Sequence, residues 1–157
     1  MVFKITLAIL SGLLTGLSFN YSCLWFLVWF SLVPFFYAME KAGSRGGVIL
    51  GIVFSLAYYA VAIFWIAKVT VLGLIVLLGY LSLYYALFGF LYRKFLKRTL
   101  LILSLPSLWV ILEFLKERVW TGFGWANLGY SQYRNLYLIQ TADLLGEKFI
   151  SFIIVMV

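Results

Sequence analysis

Apolar residues in this chain come in long blocks, and the charged residues collect between them. A helix that crosses a bilayer takes about 20 mainly apolar residues. Five blocks approach that length, at about residues 5–19, 24–39, 48–67, 71–92 and 100–115, and a sixth starts near Phe149 and is still running at Val157. The first two are short enough to be tilted or partial spans. Only Lys68 and Thr70 punctuate the third and fourth, which predicts a tight helical hairpin. The other breaks are Asn20, Tyr21 and Ser22; Glu40, Lys41 and Arg45 with Gly43, Gly46 and Gly47; the basic cluster Arg93, Lys94, Lys97 and Arg98; and Glu113, Lys116, Glu117 and Arg118. Residues 119–147 have no long apolar run and are rich in Gly, Asn, Gln and aromatic residues. The pattern predicts an all-α, polytopic transmembrane helical bundle of about five spans plus the start of a sixth. It forms one domain over residues 1–157, with an extended loop at about 119–147.

Composition removes the soluble alternative. The chain is 66% hydrophobic and 11% charged, against about 45–50% and about 25% for an ordinary soluble domain. A chain this short has too little interior to hide that excess, so the excess must face lipid. The charge is basic, with 12 Lys+Arg against 5 Asp+Glu, but the basic residues lie between spans rather than in an aromatic-basic patch, so no nucleic-acid partner is expected. With the N-terminus cytoplasmic, alternating spans put seven basic residues inside (Lys4, Lys41, Arg45, Arg93, Lys94, Lys97, Arg98) and five outside (Lys68, Lys116, Arg118, Arg134, Lys148). That bias follows the positive-inside rule. It makes the loop at 119–147 periplasmic or extracellular. Lys4 followed by an apolar run could read as a signal peptide, but no small-residue cleavage site follows and another apolar block starts at once, so a retained first helix is expected.

Candidate chemistry is sparse. There is no His, which removes the commonest metal ligand and the usual general base near neutral pH. No metal site and no cofactor is expected. Cys23, the only cysteine, reads as a small hydrophobe in a turn. Glu113, Lys116 and Glu117 share neighbouring positions on one helix. Glu113 is thus a candidate interfacial acid near a lipid-facing site, or part of a charge cluster in which Lys116 and Arg118 snorkel to headgroups. In residues 120–132, Gly122, Gly124 and Gly129 alternate with Trp120, Phe123, Trp125 and Tyr130. That mixture suits an aromatic belt around a re-entrant turn. Gly12 and Gly16 have the spacing that lets membrane helices approach closely, a weak signal alone. No charged residue falls mid-span, where an ion path would usually carry one.

At Thr121-Gly-Phe-Gly-Trp125 followed by Leu128-Gly-Tyr-Ser-Gln132, the sequence resembles the membrane half of apolipoprotein N-acyltransferase. Supporting matches lie at Leu10-Ser-Gly-Leu-Leu14, Leu17-Ser-Phe19, Leu32-Val-Pro-Phe35, Leu108-Trp-Val110, Leu112-Glu-Phe-Leu115 and Ala142-Asp-Leu-Leu-Gly146. The resemblance implies a part in a bacterial inner-membrane enzyme. That enzyme moves an acyl chain from a phospholipid donor to the N-terminal S-diacylglyceryl cysteine of apolipoproteins, the last step of lipoprotein maturation. In the family a nitrilase-like domain with a Glu-Lys-Cys triad does the chemistry through a thioester. That domain has no counterpart in these 157 residues. No catalytic residue is therefore expected in this chain, which should be inactive alone and should need a missing or separate catalytic domain as partner. By position, Phe123 and Trp125, then Gly129, Tyr130, Ser131 and Gln132, correspond to the substrate-proximal loop of the family. Gly124 stands where the family usually has proline, and Glu147-Lys148-Phe149 replaces residues that are usually small or aromatic. A non-catalytic relic or interaction protein, or a small transporter subunit, is the alternative.

Overall fold

A computed structural model describes residues 1–21, 23–95, 101–120 and 122–157. Ser22, Lys97, Arg98 and Thr121, all drawn on above, lie outside the described residues. Every regular element among those described is helical: α1 (Val2–Asn20), α2 (Val28–Ser31), α3 (Val33–Glu40), α4 (Ser44–Ala62), α5 (Val71–Phe95), α6 (Leu101–Arg118), α7 (Leu136–Ile139), α8 (Ala142–Leu145) and α9 (Glu147–Met156). Short 3-10 turns cover Trp25–Leu27, Phe64–Lys68 and Leu128–Gln132.

The all-helical bundle expected from the sequence is present, with a different distribution of long helices. Among the described residues three helical segments are long and apolar enough to cross a membrane: α1, α4 and Val71–Tyr92 of α5. The second block is broken into a 3-10 turn, α2 and α3, and Trp25–Glu40 is shorter than a span. Pro34 sits at the start of α3, where it has no N–H to continue the preceding ladder. α6 has 18 residues but carries Glu113, Lys116, Glu117 and Arg118 in its second half. The expected hairpin forms between α4 and α5, closed by the 3-10 turn at Phe64–Lys68.

Two ends of the bundle are defined by long-range contacts. At one, Lys4 Nζ donates to the Lys41 carbonyl. At the other, Asn20 Nδ2 donates to Val61 O (2.6 Å) and Tyr80 OH to Val119 O (2.8 Å). α1, α4 and α6 therefore run toward the end that carries the 119–147 loop.

The helices meet through small residues. A Cβ on Gly51 would lie 2.0 Å from Tyr85 O, one on Gly89 2.1 Å from Gly47 O, and one on Gly12 2.5 Å from Phe54 O. Lipid tails are as apolar as leucine, so no hydrophobic force drives these helices together, and close backbone approach is what gives the dispersion contact. The pair Gly12 and Gly16 does pack α1 onto α4. Gly47 and Gly51 repeat that spacing toward α5. Beside this seam Ser11, Thr15, Ser18 and Ser31 are buried and bond within α1 and to α2, with Thr15 Oγ1 2.8 Å from both Ser11 O and Ser31 Oγ. The rest of the bundle interior is largely aromatic. Phe35 and Phe54 stack at 4.4 Å, and the Trp109 ring from α6 lies edge-on to Tyr85 (5.2 Å) and Phe88 (5.3 Å).

Candidate functional site

The loop that follows α6 is bonded to the end of the bundle residue by residue. Glu113 and Lys116 are both enclosed, at 3% and 1% exposure. Lys116 therefore does not snorkel outward as expected. The reason is the loop itself, which folds back over the last turns of α6 and shields them. Glu113 Oε1 accepts from Trp109 Nε1 (3.2 Å) and from the Leu128 N–H (2.9 Å), while its Oε2 lies 4.0 Å from Lys148 Nζ on α9. Lys116 Nζ donates to Tyr59 OH (2.9 Å) and to the Trp125 carbonyl (3.4 Å), and lies 5.3 Å from the centre of the Tyr59 ring and 5.9 Å from that of Phe123. Glu117 accepts from both Asn127 Nδ2 and Lys148 Nζ, and Lys148 also reaches Glu147 Oε1 at 2.9 Å. Arg118 stays exposed over the Phe114 ring. Buried charges are costly unless paired and hydrogen-bonded; Glu113 Oε1 is bonded twice and Oε2 has Lys148 at 4.0 Å, while Lys116 is held by the neutral oxygens of Tyr59 and Trp125.

Backbone geometry adds two strained points. Trp120 and Ala126 both take φ +56°, a left-handed conformation that side chains other than glycine rarely adopt. It costs roughly 1–2 kcal/mol per residue. Tyr58 OH on α4 donates to the Ala126 carbonyl at 2.5 Å, which offsets part of that cost.

The six residues singled out from the sequence separate into two kinds. Gly129, Ser131 and Gln132 are buried. A Cβ on Gly129 would lie 2.5 Å from Glu147 O, and its N–H donates to Ser151 Oγ (2.9 Å). Ser131 Oγ donates to Leu128 O (2.7 Å). Gln132 accepts from Trp29 Nε1 (3.2 Å) and donates to Trp25 O (3.1 Å), tying the loop to the α1–α2 connection. These three anchor the loop. Phe123, Trp125 and Tyr130 present surface: Trp125 is 57% exposed, and its ring lies 5.8 Å from Phe123 and 5.1 Å from Trp65 of the α4–α5 turn. The Tyr130 hydroxyl is pushed above its ordinary value by partial burial first, then by the charges of Glu147 and Glu117, with Lys148 opposing. Being raised from 10.0, it is a neutral hydrogen-bond donor throughout the physiological range.

Trp65, Tyr58 and Asn127 were not singled out as site residues from the sequence. Each reaches the loop from an element or register that helical spacing alone does not place there. Beside the loop an apolar groove of about 270 Å³, lined by Tyr80, Leu83, Tyr84, Leu87, Val119 and Trp120, runs down the outside of α5. Trp120 lies parallel to Tyr80 at its mouth (6.0 Å, 9°).

Residues 11–157 match the apolipoprotein N-acyltransferase N-terminal domain. The apolipoprotein N-acyltransferase of Geobacter metallireducens is 40% identical over 160 residues, which cover 94% of this chain and 31% of that protein. The Vibrio cholerae protein of the same name is 30% identical over 135 residues, 77% of this chain and 27% of its own length. That of Neisseria meningitidis serogroup B is 54% identical over 56 residues, 34% of this chain and 11% of its own. The chain thus spans less than a third of the length of these relatives. With a match running from Ser11 to Val157, the chain belongs to the apolipoprotein N-acyltransferase family, in the part that forms its N-terminal domain.

Proposed function

We propose that this chain is the membrane part of an enzyme that transfers an acyl chain from a phospholipid to the N-terminal S-diacylglyceryl cysteine of apolipoproteins, completing lipoprotein maturation. It would sit in the bacterial inner membrane with its N-terminus cytoplasmic and the 119–147 loop on the periplasmic side. The chemistry would belong to a nitrilase-like catalytic domain, and the role of this chain would be to anchor that domain and to line the path by which lipid-tailed substrates reach it. Phe123, Trp125 and Tyr130 are the residues proposed to face substrate, with Gly129, Ser131 and Gln132 holding them in place. The observation that carries the reading is a loop tethered by hydrogen bonds to the bundle that nonetheless leaves Trp125 more than half exposed. Large aromatic rings kept half open on a fixed backbone suit contact with an amphiphile.

The test is lipoprotein acylation by this chain together with a nitrilase-like catalytic portion of the family, in cells or vesicles lacking any other such enzyme. Acylation is expected only when both are present. Trp125→Ala should lower it about thirtyfold, the effect of truncating an anchor worth about 2 kcal/mol. Unchanged acylation by Trp125→Ala, at equal protein level, would remove the loop from the substrate path.

A further inference from the structure

We propose that Tyr58 and Lys116 are positioning residues for Trp125, holding two consecutive loop carbonyls so that the Trp125 ring is aimed out of the bundle. The proposal rests on the reading of that ring as substrate-facing. Four successive loop residues are each held by one buried or half-buried side chain: the Trp125 carbonyl by Lys116, the Ala126 carbonyl by Tyr58, the Asn127 side-chain Nδ2 by Glu117, and the Leu128 N–H by Glu113. Three of these partners lie on one face of α6, where positions three and four apart are neighbours. The fourth, Tyr58, comes from α4 and is fully buried.

The ladder straddles the turning point of the chain. Ala126 takes a left-handed φ of +56°, and it is there that the chain changes direction. Trp125 before it points outward, whereas Asn127 and Leu128 after it are buried. Alanine would relax to negative φ if nothing opposed it, and that rotation would turn the Trp125 side chain away from Trp65. Tyr58 and Lys116 grip the two peptide units that flank the Ala126 Cα or end at it, so they are the groups that resist the rotation.

The proposal is tested on the chain in lipid nanodiscs by hydrogen exchange, and on the chain with its catalytic portion by acylation kinetics. Tyr58→Phe removes only the hydroxyl. It is expected to speed exchange of the amides at 122–128 by about tenfold, the worth of one hydrogen bond, with α1 unchanged. It should raise KM for the lipid-tailed substrate by a similar factor with kcat retained. Ala126→Gly in the Tyr58→Phe background should restore protection and KM in part, because glycine takes positive φ without strain; a merely structural loss would deepen with the added glycine. If Tyr58→Phe misfolds, with exchange rising in α1 as well, Ala126→Val gives the same test with both donors intact. It should loosen 122–128 and raise KM, since a β-branched residue resists positive φ. Wild-type exchange and KM in Ala126→Val, or in a folded Tyr58→Phe, would overturn the positioning role. A sensitive Trp125→Ala beside a silent Tyr58→Phe would refute the inference and leave the proposed function standing. A silent Trp125→Ala would refute the proposed function, and the exchange data would still decide whether the tether exists.

Discussion

The glycine seam between α1, α4 and α5 and the clamped loop beyond α6 solve the same problem by opposite means. In the seam, helices touch through absent side chains: Gly47, Gly51 and Gly89 let backbones approach until any Cβ would strike a carbonyl. Among the described residues no charged side chain is involved. At the loop end, contact runs through long side chains that cross from one element to another: Glu113, Lys116, Glu117, Asn127 and Gln132 join the loop to helix or turn, and Lys148 joins α9 to α6. The seam depends on shape and should fail abruptly when shape changes. The clamp depends on discrete bonds and should fail in increments.

The largest effect is therefore expected at the seam. Gly51→Val would place its Cβ 2.0 Å from Tyr85 O, far inside van der Waals contact, and a backbone carbonyl cannot swing aside as a flexible side chain would. Overpacking of this kind costs roughly 3 kcal/mol or more. Loss of the folded band and a fall in detergent Tm should follow, with α4 and α5 separating. A Gly51→Val protein with unchanged Tm would mean that α4 and α5 do not meet as described.

A smaller loss is expected from the clamp. Glu113→Ala leaves the Trp109 Nε1–H and the Leu128 N–H buried without their acceptor, at about 3 kcal/mol for the two together. Glu113→Gln keeps an oxygen for one or both and should cost about 1 kcal/mol. The comparison sharpens if hydrogen exchange in the alanine variant rises first at 128–132 and only later in α4. If the two regions open together, seam and clamp are a single cooperative unit.

How much of this could be read in advance follows the same division. Helices, their rough limits and the α4–α5 hairpin were legible because lipid demands long apolar runs, and length is visible in sequence. The packing of Gly12 and Gly16 was legible only as a hint, since the same spacing says nothing about which helix is met. Breakage of the second block was not read from the sequence, because the effect of Pro34 depends on where the helix begins. The burial of Glu113 and Lys116 was not legible. Their position near the end of a helix suits an exposed charge equally well, and only the return of residues 122–132 over the helix end encloses them. Likewise Gln132 reads as part of a surface motif, yet its partners, Trp25 and Trp29, lie more than a hundred residues earlier. Contacts of that range are set by tertiary fit, which no local pattern reports.

The smallest predicted effect tests whether the loop's rigidity resides in its backbone or in its clamp. Gly124 stands where proline would fix φ and stiffen the turn, and the loop is nevertheless held, because residues 125 to 128 are each bonded to the bundle. Its φ is not in the left-handed range, and a Cβ there would meet Glu117 Cγ at 3.4 Å, ordinary van der Waals contact. Gly124→Pro should therefore be accepted and should stabilise by about 0.4–1 kcal/mol, mainly by restricting the unfolded chain. In the otherwise unaltered chain this would be a slight rise in Tm with no change in exchange at 122–128, since the clamp already sets that protection. In Tyr58→Phe the same proline should recover part of the lost protection, because backbone restriction then replaces a missing bond. Equal gains in both backgrounds would show that proline and clamp act independently. A larger gain in Tyr58→Phe would show that this chain does with side chains at the end of α4 and α6 what a proline would do within the loop.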